Sequence, residues 1–158
     1  MDRPVILSVI FLSIVLSGCL GSTGPNESCE DFSREEQAEY WEQNREKESV
    51  IQTESGLQFR VIEEGEGASP SLESTVRIEY EGKRIDGSIF DTTDNIGPQE
   101  TTVEGLLEGL EEGLQLMNEG ATYEFVLPSH LAFGETAAGE FCPGTTVIFE
   151  VTLVEIVE

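Results

Sequence analysis

Val76-Arg77-Ile78-Glu79-Tyr80-Glu81-Gly82 alternates apolar and charged side chains, and Asp86-Gly87-Ser88-Ile89-Phe90-Asp91 follows it. Successive side chains on a strand point to opposite faces. Val76, Ile78 and Tyr80 therefore face a core, and Arg77, Glu79 and Glu81 face water. Asp86-Gly87 is a turn signal, and a short strand through Ile89–Thr92 comes after it. Outward from this hairpin the two-residue period returns. Leu57, Phe59 and Val61 alternate with Gln58, Arg60 and Ile62, then stop at Glu63-Glu64-Gly65-Glu66-Gly67. Ala121, Tyr123, Phe125 and Leu127 alternate up to Pro128. The stretch 146–157 is dense in β-branched residues and long enough for a central strand. Leu106, Leu107, Leu110, Leu114 and Met117 recur at helical spacing, although Gly105, Gly109 and Gly113 lower the helix propensity. That helix has to be short and held by packing. Residues 93–99 and 128–143 read as loops. The sum is an α+β chain: a twisted, mainly antiparallel sheet with one short helix on one face.

The chain has 158 residues, 32 acidic against 8 Lys+Arg, and a net charge of −24. A sequence-independent nucleic-acid binder needs a basic surface to displace counterions, so that class is excluded and no nucleic-acid partner is expected. The same balance argues against docking on anionic lipid through a polybasic patch. No Lys or Arg follows Arg84. The acids fall on outward strand positions such as Glu79, Glu81 and Glu150. A self-repelling surface of this kind is tolerable where salt shortens the Debye length to about 3 Å at 1 M. The expectation is a salt-loving organism, an archaeon, whose exported domain faces brine.

The first residues read as an address. Asp2, Arg3 and Pro4 precede an apolar run from Val5 to Leu16, too short for the roughly 20 residues that span a bilayer. The run ends in Leu16-Ser17-Gly18-Cys19, which resembles a lipoprotein lipobox, cut before a cysteine that then receives a lipid. The expected divisions are a signal peptide over 1–18, a tether over 19–33, a helical extension over 34–52 and the main domain over 53–158. Ser33 and Glu36 make a capping box for a helix over about 34–48. Its few contacts are expected at Ala38 and at Tyr40 or Trp41, with Trp41 as the anchor. Asn26-Glu27-Ser28 is a glycosylation sequon. With Cys19 lipidated, Cys29 and Cys142 remain. In an exported chain they are candidates for a bridge that staples the N-terminal tail to a distal loop. Whether they meet depends on a Cα–Cα separation below about 7 Å.

No nucleophile–base pair stands out. His130 lies in Pro128-Ser129-His130-Leu131 and reads as an exposed loop residue. The glycines form no phosphate loop, and the cysteines show no metal-ligand spacing. No cofactor and no metal are expected, and the site is built from apolar and aromatic side chains.

Several stretches together resemble the FKBP-type peptidyl-prolyl isomerases. They are Ser55–Phe59, Val76–Gly82, Asp86–Asp91, Gly109–Met117, Leu127–Gly134 and Thr146–Val151, in family order across about two-thirds of the chain. The resemblance implies a five- or six-stranded sheet wrapped on the helix, with the active pocket between them. It also implies site residues. Tyr80, Phe90 and Phe149 would line the pocket, and Asp91 would be a buried carboxylate that orients the substrate. Leu106 and Leu107 match a pair whose backbone meets the ligand, with Leu107 N–H as the donor to a substrate carbonyl. Phe141 falls on an apolar flap position. Three positions depart from the family. Leu110 stands where a tryptophan usually floors the pocket. Phe133 stands where a tyrosine usually donates its hydroxyl. Gln99 stands near an apolar wall position.

The partners so implied are proline-containing polypeptides and, through the lipid on Cys19, a membrane; a monomer is expected. Two functions are carried forward. One is an active isomerase for exported proteins at the cell surface. The other is a prolyl-peptide-binding or chaperone lipoprotein with little catalysis, for which Leu110, Phe133 and Gln99 are the discriminating features.

Overall fold

The computed structural model describes residues 29, 32–136 and 139–157. Cys19 and Asn26, the expected lipidation and glycosylation sites, lie outside the described residues. In chain order the elements are α1 (Arg34–Arg45), β1 (Ile51–Gln52), β2 (Gln58–Glu63), β3 (Thr75–Arg84), β4 (Ile89–Thr92), β5 (Gln99–Thr102), α2 (Glu108–Gln115), β6 (Thr122–Leu127), a 3-10 turn (Ser129–Leu131) and β7 (Val147–Ile156). The pairings are antiparallel, and the order across the sheet is β1-β2-β6-β7-β3-β4, with β5 also on β3.

This is the expected α+β fold. The described sheet has seven strands. The strand beyond the expected set that matters most is β5. Its sequence, Gln99-Glu100-Thr101-Thr102, has no apolar alternation, so only its pairing with β3 reveals it. The expected loop therefore ends before Gln99.

β3 and β7 are each ten residues long and pair from Val76 with Ile156 to Arg84 with Val147. β7 lies between β3 and β6, where both neighbours take up its backbone N–H and C=O groups. Register places Phe59, Phe125, Phe149 and Gly82 in one row across four strands. The next row on the same face is Val61, Tyr123, Val151 and Tyr80. α2 covers this face. Leu114, Met117, Phe125 and Leu127 are fully buried in the shared core.

The glycines that weaken α2 as an isolated helix are what let it dock. A methyl group on Gly113 would lie 2.6 Å from Phe125 Cε1, and one on Gly109 would lie 2.6 Å from Leu127 Cγ. Each glycine costs the helix about 1 kcal/mol against alanine. Burying a side chain such as Phe125 stabilises by about 1.5–3 kcal/mol.

α1 docks on the outer face by polar contacts. Its cap is as expected, Glu36 N–H donating to Ser33 Oγ at 3.2 Å, but the helix ends at Arg45 rather than near 48. Trp41 is an anchor: its indole N–H donates to the Gly56 carbonyl at 3.2 Å. Ala38, expected at the contact, is exposed. Gln37 and Asn44 are buried in its place. Asn44 donates to Gln58 Oε1 at 2.8 Å, Gln58 donates to the Trp41 carbonyl at 2.9 Å, and Thr146 N–H donates to Gln37 Oε1 at 3.0 Å. Cys29 and Cys142 form a disulfide with a Cα–Cα distance of 5.8 Å, which ties the segment before α1 to the loop before β7.

Gly113→Ala is expected to lower stability by about 1–3 kcal/mol through overpacking against Phe125, despite alanine's better helix propensity. Urea unfolding measures it; a gain in stability would show that α2 has slack against the sheet.

Candidate active site

Between α2 and the inner face of the sheet lies a cavity of about 400 Å³. β3 contributes Ile78 and Tyr80, β7 contributes Phe149 and Val151, and β5 contributes Gln99 and Thr101. α2 contributes Leu110 and Leu114, the turn before it Leu106 and Leu107, and Asp91 and Phe133 complete the wall. The pairs Ile78/Tyr80, Phe149/Val151 and Gln99/Thr101 arrive by the two-residue period of their strands, and Leu110/Leu114 by the turn of the helix.

Eight of the ten predicted pocket residues line this cavity. Phe90 and Phe141 do not; they stand behind its wall. Phe90 packs edge-on against Phe149 at 5.6 Å, Phe141 at 4.9 Å and Phe133 at 6.3 Å. Phe141 stacks on Phe133 at 3.8 Å between centroids. Gly82 makes room for this cluster, since a methyl group there would meet Phe90 at 2.7 Å and Phe149 at 2.8 Å. Arg84, ion-paired with Glu140, lies over the rings of Phe90 and Phe141 at 5.8 and 5.1 Å. These aromatics pack behind Phe133 and Phe149 and hold them in place.

Asp91 is exposed, not buried as expected. It sits on β4, the edge strand, where no further strand covers it. The absence of a basic partner is met by a hydroxyl: Tyr80 donates to Asp91 Oδ2 at 2.8 Å. Burial foremost, then that hydrogen bond and the carboxylate's charge, push the Tyr80 phenol up to about 12. Gln99 turns its amide nitrogen to the Gly97 carbonyl at 2.8 Å. Leu107 is the N-cap of α2, and its carbonyl accepts from Leu110 and Glu111 N–H. Its own N–H makes no hydrogen bond among the described residues. His130 is exposed and outside the cavity, with Nε2 2.9 Å from the Ser55 carbonyl.

The cavity offers mostly apolar walls, one backbone donor, one carboxylate, the Gln99 amide and two hydroxyls, of Tyr80 and Thr101, that are already hydrogen-bonded. That arrangement can bind and orient an apolar group beside an amide without covalent chemistry.

The family described as FKBP-type peptidyl-prolyl cis-trans isomerase matches residues 67–154, more than half of the chain. This chain belongs to that family. An Escherichia coli (strain K12) protein named FKBP-type 22 kDa peptidyl-prolyl cis-trans isomerase is 48% identical over 77% of this chain and 60% of its own length. Legionella longbeachae outer membrane protein MIP is 38% identical over 72% of this chain and 49% of its own. The chain thus spans about half to three-fifths of the length of these curated relatives. Among solved structures, FkpA from Escherichia coli has a TM-score of 0.74 at 30% identity, covering 77% of this chain and 58% of that one. A peptidyl-prolyl cis-trans isomerase from Pseudomonas syringae has a TM-score of 0.75 at 27% identity, covering 87% of this chain and all of that one.

In this FKBP-type domain the cavity also uses Ile78, Thr101, Leu114 and Val151, which had not been singled out as site residues. Ile78 and Val151 were findable as inward strand positions one step from Tyr80 and Phe149, and Leu114 as one helical turn past Leu110. Thr101 carried no signal, because β5 itself carried none.

The Tyr80 phenol is held protonated in the folded state beyond the ordinary 10, so its contribution to stability is full below pH 10 and lost as pH rises from 10 through about 12. Tyrosinate absorbance should show its ionisation as the last step of the native titration, and Tyr80→Phe should remove that step. A native curve centred on the ordinary value would contradict the Tyr80–Asp91 bond.

Proposed function

We propose that this chain is a peptidyl-prolyl cis-trans isomerase acting on exported polypeptides. The observation that carries the reading is the apolar cavity with the unbonded Leu107 N–H beside it. Rotation about a peptide bond faces a barrier of about 18–20 kcal/mol, and X–Pro bonds equilibrate over tens to hundreds of seconds. Twisting the amide removes its resonance and most of its dipole. A dry apolar wall disfavours the polar planar form relative to the twisted one, and selective binding of the twisted form lowers the barrier. In this reading the proline ring seats against Leu110, Phe149 and Val151. Leu107 N–H donates to a substrate carbonyl, and Asp91, held by Tyr80, orients the peptide. No covalent bond is made or broken.

Leu110 keeps the floor apolar but narrower than a tryptophan would. Phe133 lacks a hydroxyl, which removes one substrate hydrogen bond worth about 0.5–1.5 kcal/mol. Catalysis weaker by up to about tenfold than with a tyrosine there follows.

The location we propose is outside the cytoplasm, as a monomer anchored to the membrane by a lipid on Cys19. The lipobox supports this, as does the Cys29–Cys142 disulfide, a bond that persists in oxidising compartments. The relative from Legionella longbeachae is named an outer membrane protein. The net charge of −24 supports a salt-rich setting and a salt-loving source.

Two measurements test these readings. In an isomer-exchange assay on an X–Pro peptide, the full chain should accelerate isomerisation. Asp91→Ala should lower kcat/KM at least about tenfold, the scale of a lost charged contact. A rate equal to buffer alone, with the peptide still bound, would leave the chaperone reading. Separately, the melting temperature should rise as NaCl increases from 0.1 to 2 M; a melting temperature independent of salt counts against the brine-facing reading.

A further inference from the structure

The polar side chains around the cavity share one property: their protons are already committed. The Tyr80 hydroxyl donates to Asp91 Oδ2. The Gln99 amide nitrogen donates to the Gly97 carbonyl at 2.8 Å and approaches the Pro98 carbonyl at 3.4 Å. The Thr101 hydroxyl donates to the Thr102 carbonyl at 3.2 Å. Asp91 Oδ1 and Gln99 Oε1 have no hydrogen-bond partner among the described residues. Apart from the backbone N–H of Leu107, the cavity's polar side chains therefore meet a ligand with acceptors, and its one lining charge is negative.

Among the described residues no cation answers that charge. β3, which carries Tyr80, also carries three of the chain's basic residues, and each is bonded elsewhere. Arg77 pairs with Glu100 and Glu155, Lys83 with Glu81, and Arg84 with Glu140. No lysine or arginine lines the cavity. An exposed carboxylate with one oxygen bonded and the other open is a complete half of an ion pair.

We propose that the site selects prolyl segments carrying a lysine or arginine next to the proline, the cationic head pairing with Asp91 and with Gln99 Oε1 as a second, neutral acceptor. The inference rests on the isomerase reading and adds the substrate class to it. It also gives Gln99 a role that an apolar residue at that position could not fill. The preference is distinct from the diffuse attraction of a chain with net charge −24, which acts on any cationic peptide and is screened beyond about 3 Å in 1 M salt. A contact pair at Asp91 is screened less.

The experiment compares three peptides that differ only at the residue before proline (Arg, Leu or Glu), and three with the same residues after it. Catalysis and equilibrium binding are both measured with the full chain at 0.1 and 1 M NaCl. On at least one side of the proline, Arg should be favoured over Leu by about fivefold at low salt, the upper end of exposed ion pairs, with Glu disfavoured. An Arg preference of at least about twofold should survive at 1 M. Asp91→Asn should abolish it and Gln99→Leu should reduce it. Asp94→Asn, at an exposed acid in the turn between β4 and β5 that does not line the cavity, should leave it unchanged. If Asp91→Asn is too slow to assay, the binding ratios carry the comparison. Equal values for all three peptides on both sides, or a preference that vanishes at 1 M salt or persists in Asp91→Asn, would overturn the selection. Acceleration of the Leu peptide reports separately on the isomerase: its loss removes that reading, while its presence with equal ratios removes only this inference.

Discussion

The contact between α2 and the sheet decides where the cavity is and what it is made of. Gly109 and Gly113 leave no room for side chains where the helix meets Leu127 and Phe125. The helix sits against the sheet on that side, while Leu110 and Leu114 project into the space in front of β3 and β7. Side chains in a close-packed core leave few voids larger than a water molecule. An open volume of about 400 Å³ is therefore built in by the shape of this contact rather than left over from loose packing. Gly82 does the same on the sheet, where its missing side chain lets Phe90 and Phe149 meet and Phe90 brace Phe133.

The electrostatics divide along the same surface. The acids crowd outward strand positions and turns, and the cavity keeps one of them, Asp91. Its exposure on an edge strand keeps its charged form solvated, while Tyr80 fixes its direction. The charge is thus available to a ligand without the several kcal/mol that a buried, unpaired carboxylate would cost. The Gln99 and Thr101 donors are turned to backbone carbonyls, and the basic residues of β3 pair with glutamates elsewhere.

The periodic elements were legible before any coordinates. Val76–Gly82, the β-branched final strand and the leucine spacing of α2 gave the α+β class, and the resemblance to the FKBP-type isomerases implied most of the lining residues. Three features were not legible. β5 is polar throughout, and its identity comes from the hydrogen bonds of β3. The α1 contact keeps the expected Trp41 anchor but runs through Gln37 and Asn44 rather than Ala38, because a buried amide such as Asn44 bonded to Gln58 looks like a solvated residue in a one-dimensional pattern. Phe90 and Phe141 read as pocket residues, yet aromatic packing sets them one layer back.

Sequence alone determined which faces were apolar, because strand and helix periods are properties of the local chain. It also determined that no acid–base pair or phosphate loop was at hand, and that Cys29 and Cys142 were candidates to bond. Only the tertiary structure decided that they do, with Cα atoms 5.8 Å apart despite 113 residues between them. Only it decided that Asp91 is exposed and bonded to Tyr80. Those outcomes depend on distances between residues remote in the chain and on which strand ends up at the edge. Neither quantity is encoded in any local window.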